Sequence, residues 1–188
     1  LNNELEDYLT PTQLPNPEDH FNDLEIASQR IIEACSRKEQ IAICGDYDAD
    51  GITSTVLLFE LLSQLGAKAE PFIPSRQDEG YGLNINMINK IHDKQIKLII
   101  TVDNGISSIE AIKKASELGI DLIITDHHKI PDIKLDIFSL IHPETTPLNS
   151  PYKYLAGVGI AYLLAKNICN KLNYDINKTT ANVFFSIG

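Results

Sequence analysis

The sequence of 188 residues predicts an α/β fold in which a mostly parallel sheet carries helices on both faces. Short apolar runs of strand length recur at residues 41–44, 67–73, 98–102, 122–125 and 138–141. Between them lie stretches with apolar residues at helical spacing, so strand and helix alternate along the chain. Several runs, such as Leu98-Ile99-Ile100-Thr101-Val102, are apolar without alternation, which marks strands covered on both faces, as parallel strands are. No internal repeat and no low-complexity tract interrupts this pattern.

Residues 1–17, with Pro11 and Pro15, read as an extended lead-in. Asn16-Pro17-Glu18-Asp19 offers a cap, a proline at the first helical position and an acidic first turn, and Phe21, Leu24, Ala27, Ile31 and Cys35 follow at helical spacing. A helix is expected there. Residues 41–44 form the first strand, and 53–65, ended by Gly66, is apolar enough to be a largely buried helix. After a second strand over 67–73, the polar loop 75–82 carries glycines, of the kind that borders ligands, and leads into a helix over 84–93. The strand 98–102 runs into Asp103-Asn104-Gly105 before a helix capped near Ser107 and stopped by Gly119. The strand 122–125 runs into Asp126-His127-His128. Residues 138–141 make a further strand, and Gly157-Val158-Gly159-Ile160 opens a last helix to about residue 172.

Composition narrows the function classes. At 43% hydrophobic and 22% charged, the chain is long enough to bury a core. No apolar run approaches the roughly 18 to 20 residues of a membrane span and the start is polar, so a cytoplasmic location without membrane association is expected. Cys35, Cys44 and Cys169 are odd in number and lack metal-type spacing; they read as reduced core thiols. A net charge of −10 argues against a surface that grips nucleic acid everywhere, while leaving room for a local site.

The chemistry gathers at strand exits, where ligands bind in open parallel sheets. If the backbone stays extended past Cys44, period-two geometry points Asp46, Asp48 and Asp50 to one side. Carboxylates about 4 Å apart repel by roughly 4 kcal/mol at an effective dielectric near 20, so a cation is their natural counterweight; the alternative is a solvated acidic turn. Asp-x-Asp-x-Asp-Gly imitates a calcium loop, but its twelfth position, which needs Glu, is Leu57. A haloacid-dehalogenase type of phosphatase would need Thr at Ile52. With Asp103 and His127 added, the oxygen-rich donor set suits Mn²⁺ or Mg²⁺ better than Zn²⁺. Two such ions, typically about 3.5 to 4 Å apart, implicate phosphoester hydrolysis. Adjacent His127 and His128 on extended backbone should point opposite ways, one ligating and the other orienting a ligand or touching phosphate.

Asp126-His127-His128 and Gly45-Asp46-Tyr47-Asp48-Ala49-Asp50-Gly51 resemble two signature motifs of the DHH phosphoesterase superfamily. The stretches at 73–83, 101–106 and 155–161, and even Tyr8-Leu9-Thr10-Pro11, resemble segments of its single-stranded-DNA exonucleases in the same order. The resemblance implies a Rossmann-like domain over residues 18–188 that hydrolyses single-stranded DNA from the 5′ end, with Mn²⁺ or Mg²⁺, in repair and recombination. It further implies that Asp46, Asp50 and Asp103 hold one metal and Asp48, Asp103 and His127 another, with Asp103 bridging. His128 would meet the scissile phosphate or water, Asp126 would support the histidines, and Arg76 and Asn104 would contact phosphate. A further Asp of the second metal site is expected just past Gly188, together with an accessory substrate domain and an oligonucleotide-binding domain, so weak activity is expected of residues 1–188 alone. The alternatives within the resemblance are a nanoRNase or adenosine bisphosphate phosphatase, or a non-catalytic DNA-binding scaffold.

Overall fold

The computed structural model describes residues 15–74 and 82–179. Residues 1–14 of the expected lead-in, and Arg76 in the loop 75–81, lie outside the described residues. Five strands, β1 (Gln40–Cys44), β2 (Lys68–Phe72), β3 (Leu98–Val102), β4 (Asp121–Thr125) and β5 (Ser139–Ile141), form one sheet in the order β2-β1-β3-β4-β5. All four pairings are parallel. Among the described residues five α-helices accompany them: α1 (Leu24–Ser36), α2 (Ala49–Gln64), α3 (Ile85–Asp93), α4 (Ile109–Glu117) and α5 (Gly157–Lys171).

Alternation along the strands divides the core. Ile41, Ile43, Leu98, Ile100, Val102 and Ile123 pack with α1, α2 and α5, whereas Ala42, Cys44, Ile99, Leu122 and Ile124 pack with α3 and α4. Leu58, Leu61 and Leu62 of α2 are fully buried, each worth roughly 1.5–3 kcal/mol in apolar area removed from water. The edge position of β2 accommodates Pro71, which has no N–H to give a further strand. The three cysteines are free thiols, as expected, and burial raises each of them, Cys169 to about 11, which keeps them from becoming thiolates. Among the described residues no helix is long and apolar enough to cross a membrane.

Two helix starts differ from expectation, for identifiable reasons. Asn16 caps only a 3₁₀ turn, Pro17–Asp19, and α1 begins at Leu24. Asp23 stands at its N-cap, but the carboxylate accepts the Leu140 N–H at 2.9 Å and so ties α1 to β5. Helix α2 begins at Ala49, four residues earlier than predicted, because Asp48 is its N-cap and accepts the Gly51 N–H at 2.9 Å. Gly51 permits this: a Cβ there would lie 2.7 Å from the backbone N and O of Asp46.

The strand order reverses direction between β1 and β3, since β1 leads outward to β2 and β3 leads the other way to β4. The crevice beyond the carboxyl ends of β1 and β3 is therefore the place where this topology opens a ligand site.

Candidate metal centre

Each strand exit is anchored by its neighbour. The Gly45 N–H donates to Phe72 O at 3.0 Å and the Asp103 N–H to Thr125 O at 3.0 Å, so the ladder still holds the chain at the first residues past β1 and β3. Asp103 then adopts φ +61°, a left-handed conformation that Asp tolerates better than most residues but that still costs on the order of 1 kcal/mol. Its carboxylate is buried, 3.1 Å from His127 Nε2. Gly157, the first residue of α5, makes room for it: a Cβ at this position would meet Asp103 Oδ1 at 2.4 Å.

At the exit of β4 the buried Asp126 organises the histidines. One oxygen accepts the N–H groups of His127 (2.7 Å) and His128 (3.1 Å) and pairs with His128 Nδ1 (2.7 Å); the other accepts the Ile106 N–H at 3.0 Å. This curls the chain off the strand and corrects the expectation that the two imidazoles diverge. The ring centroids lie 4.6 Å apart, and Asp103, His127 and His128 each offer a ligand atom within 4.8 Å of the others. Burial opposes a charge on His128, but the hydrogen bond it donates to Asp126 and the charges of Asp126, Asp103 and Asp46 outweigh it and raise its pKa.

The three aspartates after β1 do not share one extended face, because the helix has already begun at Ala49. Asp46 is buried directly past the strand, with Oδ1 lacking a hydrogen-bond partner among the described residues. Asp48 is exposed and caps α2. Asp50 turns to α5, its two oxygens accepting the N–H groups of Gly157 (2.8 Å) and Val158 (2.7 Å), while Oδ2 stays 3.9 Å from His127 Nε2. A carboxylate at a helix N-terminus is favourably placed against the helix dipole. Burial first, and neighbouring carboxylates second, push Asp46 above the ordinary carboxylate range and Asp103 up to about 7.

Asn104 requires a correction. Expected to contact phosphate, it is fully buried, with both amide protons donated to Cys44 O (3.0 Å) and Val102 O (2.9 Å) and its oxygen accepting the Leu83 N–H (3.0 Å). It is a strut between the exits of β1 and β3 and the loop ahead of α3. Sequence reasoning missed His142, a buried side chain after β5. Its Nδ1 accepts the Glu144 N–H at 3.1 Å, which leaves Nε2 to donate to His128 O at 2.7 Å. Burial lowers its pKa, in keeping with a neutral ring. Its place one residue past a strand, before Pro143, was the available signal.

The buried carboxylate of Asp103 and the imidazole of His127, with the buried Asp46 carboxylate added to the donor set, fit a divalent cation with mixed O and N preferences, such as Mn²⁺, and also Mg²⁺. The unsatisfied buried oxygen of Asp46 is the observation that favours a cation over a merely hydrogen-bonded cluster.

The comparisons identify the family and the fold. The DHH family, N-terminal domain, matches residues 40–186. The single-stranded-DNA-specific exonuclease RecJ of Bacillus subtilis (strain 168) is 44% identical over 146 residues, covering 78% of this chain and 19% of that protein. RecJ of Escherichia coli (strain K12) is 38% identical over 149 residues, 79% of this chain and 26% of the relative. Among solved structures, exonuclease RecJ bound to manganese superposes with a TM-score of 0.74 at 32% identity, over 87% of this chain and 40% of that one. RecJ in complex with Mn²⁺ from Thermus thermophilus gives 0.72 at 30% identity, over 91% and 24%. The chain thus spans about a fifth to a quarter of the length of the curated relatives it matches.

Proposed function

The chain belongs to the DHH family, and from that premise we propose that it carries the metal-binding part of a phosphodiesterase that degrades single-stranded DNA, as its RecJ relatives are named for doing. The observation that supports this most is the convergence of Asp103, His127 and His128 at the switch point of the sheet, beside the unsatisfied Asp46. Asp103, His127 and Asp46 are the residues to hold Mn²⁺ or Mg²⁺, with Asp48 and Asp50 as flanking carboxylates. When bound, the cation supplies polarisation of a phosphoryl oxygen and a more acidic water. The protein's own part is positional. Asp126 fixes His128 through Nδ1, which leaves Nε2 as the ring nitrogen to face a phosphate. Asp50 locks α5 against the site so that Gly157 can back Asp103.

The test is calorimetric titration of Mn²⁺ into the chain and its Asp103→Ala variant, followed by incubation with end-labelled single-stranded and duplex oligonucleotides. Mn²⁺ binding lost in Asp103→Ala, with Mn²⁺-dependent shortening of the single strand from its 5′ end, is the expected result. Equal Mn²⁺ affinity in the two forms would overturn the site.

A further inference from the structure

On the outer side of His127 lies a recess that the metal site leaves unused. Its volume is about 350 Å³, and it is lined by His127, Pro143, Glu144, Lys153, Tyr154 and Leu155. Tyr154 is the unusual member, with 95% of its surface exposed. An exposed aromatic is ordinary on a mobile tail, but this one stands on a fixed turn. Tyr152 is buried against Phe21, with ring centroids 5.6 Å apart, and its carbonyl accepts the Leu155 N–H at 3.3 Å. Just beyond, the N–H groups of Gly157 and Val158 are clamped by Asp50. The backbone on both sides of Tyr154 is thus tied to the core and to the metal site, while its ring projects beside His127. Such an aromatic surface gives up little conformational entropy when a flat partner lies on it.

We propose that Tyr154 is a stacking platform for the nucleobase adjoining the phosphate held at the centre, a role that rests on the phosphodiesterase reading above. Charge sorts the ligand within the recess. Glu144 repels phosphate, Lys153 attracts it, and Pro143, Leu155 and the Tyr154 ring offer apolar surface to an uncharged base. A sugar-phosphate strand crossing the metal centre therefore keeps its phosphates toward His127 and Lys153 and lays a base over Tyr154. Stacking of this kind tolerates any base, since each has a π-face. It also selects for single strands, because a paired base must first leave its own stack.

The experiment compares binding of a short oligothymidylate and an abasic strand of equal length to the chain, by fluorescence anisotropy, with Ca²⁺ present in place of Mn²⁺ to prevent turnover. Wild type is expected to prefer the base-bearing strand by about 10-fold, the scale of one stacked base. Tyr154→Ala should bind both strands alike at unchanged Mn²⁺ affinity, and Tyr154→Phe should keep the preference. A preference that survives in Tyr154→Ala, or wild type that binds both strands equally, overturns the platform and leaves the metal site standing. Wild type that binds Mn²⁺ but neither strand overturns both the platform and the nucleic-acid substrate. Failure to bind Mn²⁺ as well overturns the phosphodiesterase reading itself.

Discussion

The loops that leave β1 and β4 both bury an aspartate at the same end of the sheet, and they treat it in opposite ways. Past β4, Asp126 is supplied with donors by the chain itself: three backbone N–H groups and one imidazole nitrogen. Past β1, Asp46 is just as buried but keeps an oxygen with no partner among the described residues, and burial raises its pKa. The first carboxylate is scaffolding, complete when the chain is folded. The second is costly in the bare protein, a cost that the proposed cation would offset, so burial alone does not tell a structural acid from a candidate ligand. What distinguishes them is the count of internal donors.

Asp126→Ala gives the largest expected effect. It strands the Ile106, His127 and His128 N–H groups together, and should cost about 3–5 kcal/mol in urea unfolding without metal. A loss under about 1 kcal/mol would erase the contrast.

Metal and pH sharpen it next. Asp103 is pushed up to about 7 from 3.8, first by burial and then by Asp50 and Asp48. Between those values the native chain holds a proton that the unfolded chain has released. This contribution is therefore fully present below about pH 4 and is lost as pH rises through about 7. Metal-free wild type should fall in stability between about pH 5 and pH 8 more steeply than Asp103→Asn, the comparison that cancels the opposite trend of His142. Mn²⁺ at about 100 times its Kd should restore roughly 2.7 kcal/mol at the higher pH in wild type only. Parallel pH slopes would contradict the assignment.

A smaller loss, about 1–2 kcal/mol, is expected for His142→Ala, which removes the acceptor for Glu144 N–H and the donor to His128 O. Because that carbonyl helps set the turn of His128, turnover should fall further than Mn²⁺ affinity; an equal fall in both would make His142 a plain core residue. The smallest change should come from Asp46→Asn in metal-free chain, within about 1 kcal/mol of wild type or slightly more stable, since it replaces a buried charge that has no full set of donors. The same variant should weaken Mn²⁺ binding. A large metal-free destabilisation would put Asp46 in the class of Asp126.

The sheet, its parallel pairing and most helices were legible because apolar runs and cap residues are local signals; Asn84 caps α3 through Met87 N–H as its position suggests. The position of the acids and histidines at the strand exits was legible for the same reason. The orientation of the side chains was not. Extended geometry was extrapolated past Cys44 and Thr125, where Asp48 in fact starts a helix and Asp126 folds the next two residues round its own carboxylate. Asn104 was a phosphate contact by resemblance alone, and its structural role could not be read locally because two of its three bonds, to Cys44 and Leu83, reach residues far away in the chain. His142 escaped notice since nothing local to it mentions His128.

The grip of Asp50 on Gly157 also has a meaning in time. Its two ends are 107 residues apart, so closing it costs about 4 kcal/mol of chain entropy on the logarithmic scale, before any constant. A nascent chain that has delivered β1 through β4 holds the acids and the histidines of the centre but not the helix that braces them. The proposed site is therefore late to become competent, and metal capture there would report that the chain has folded through α5.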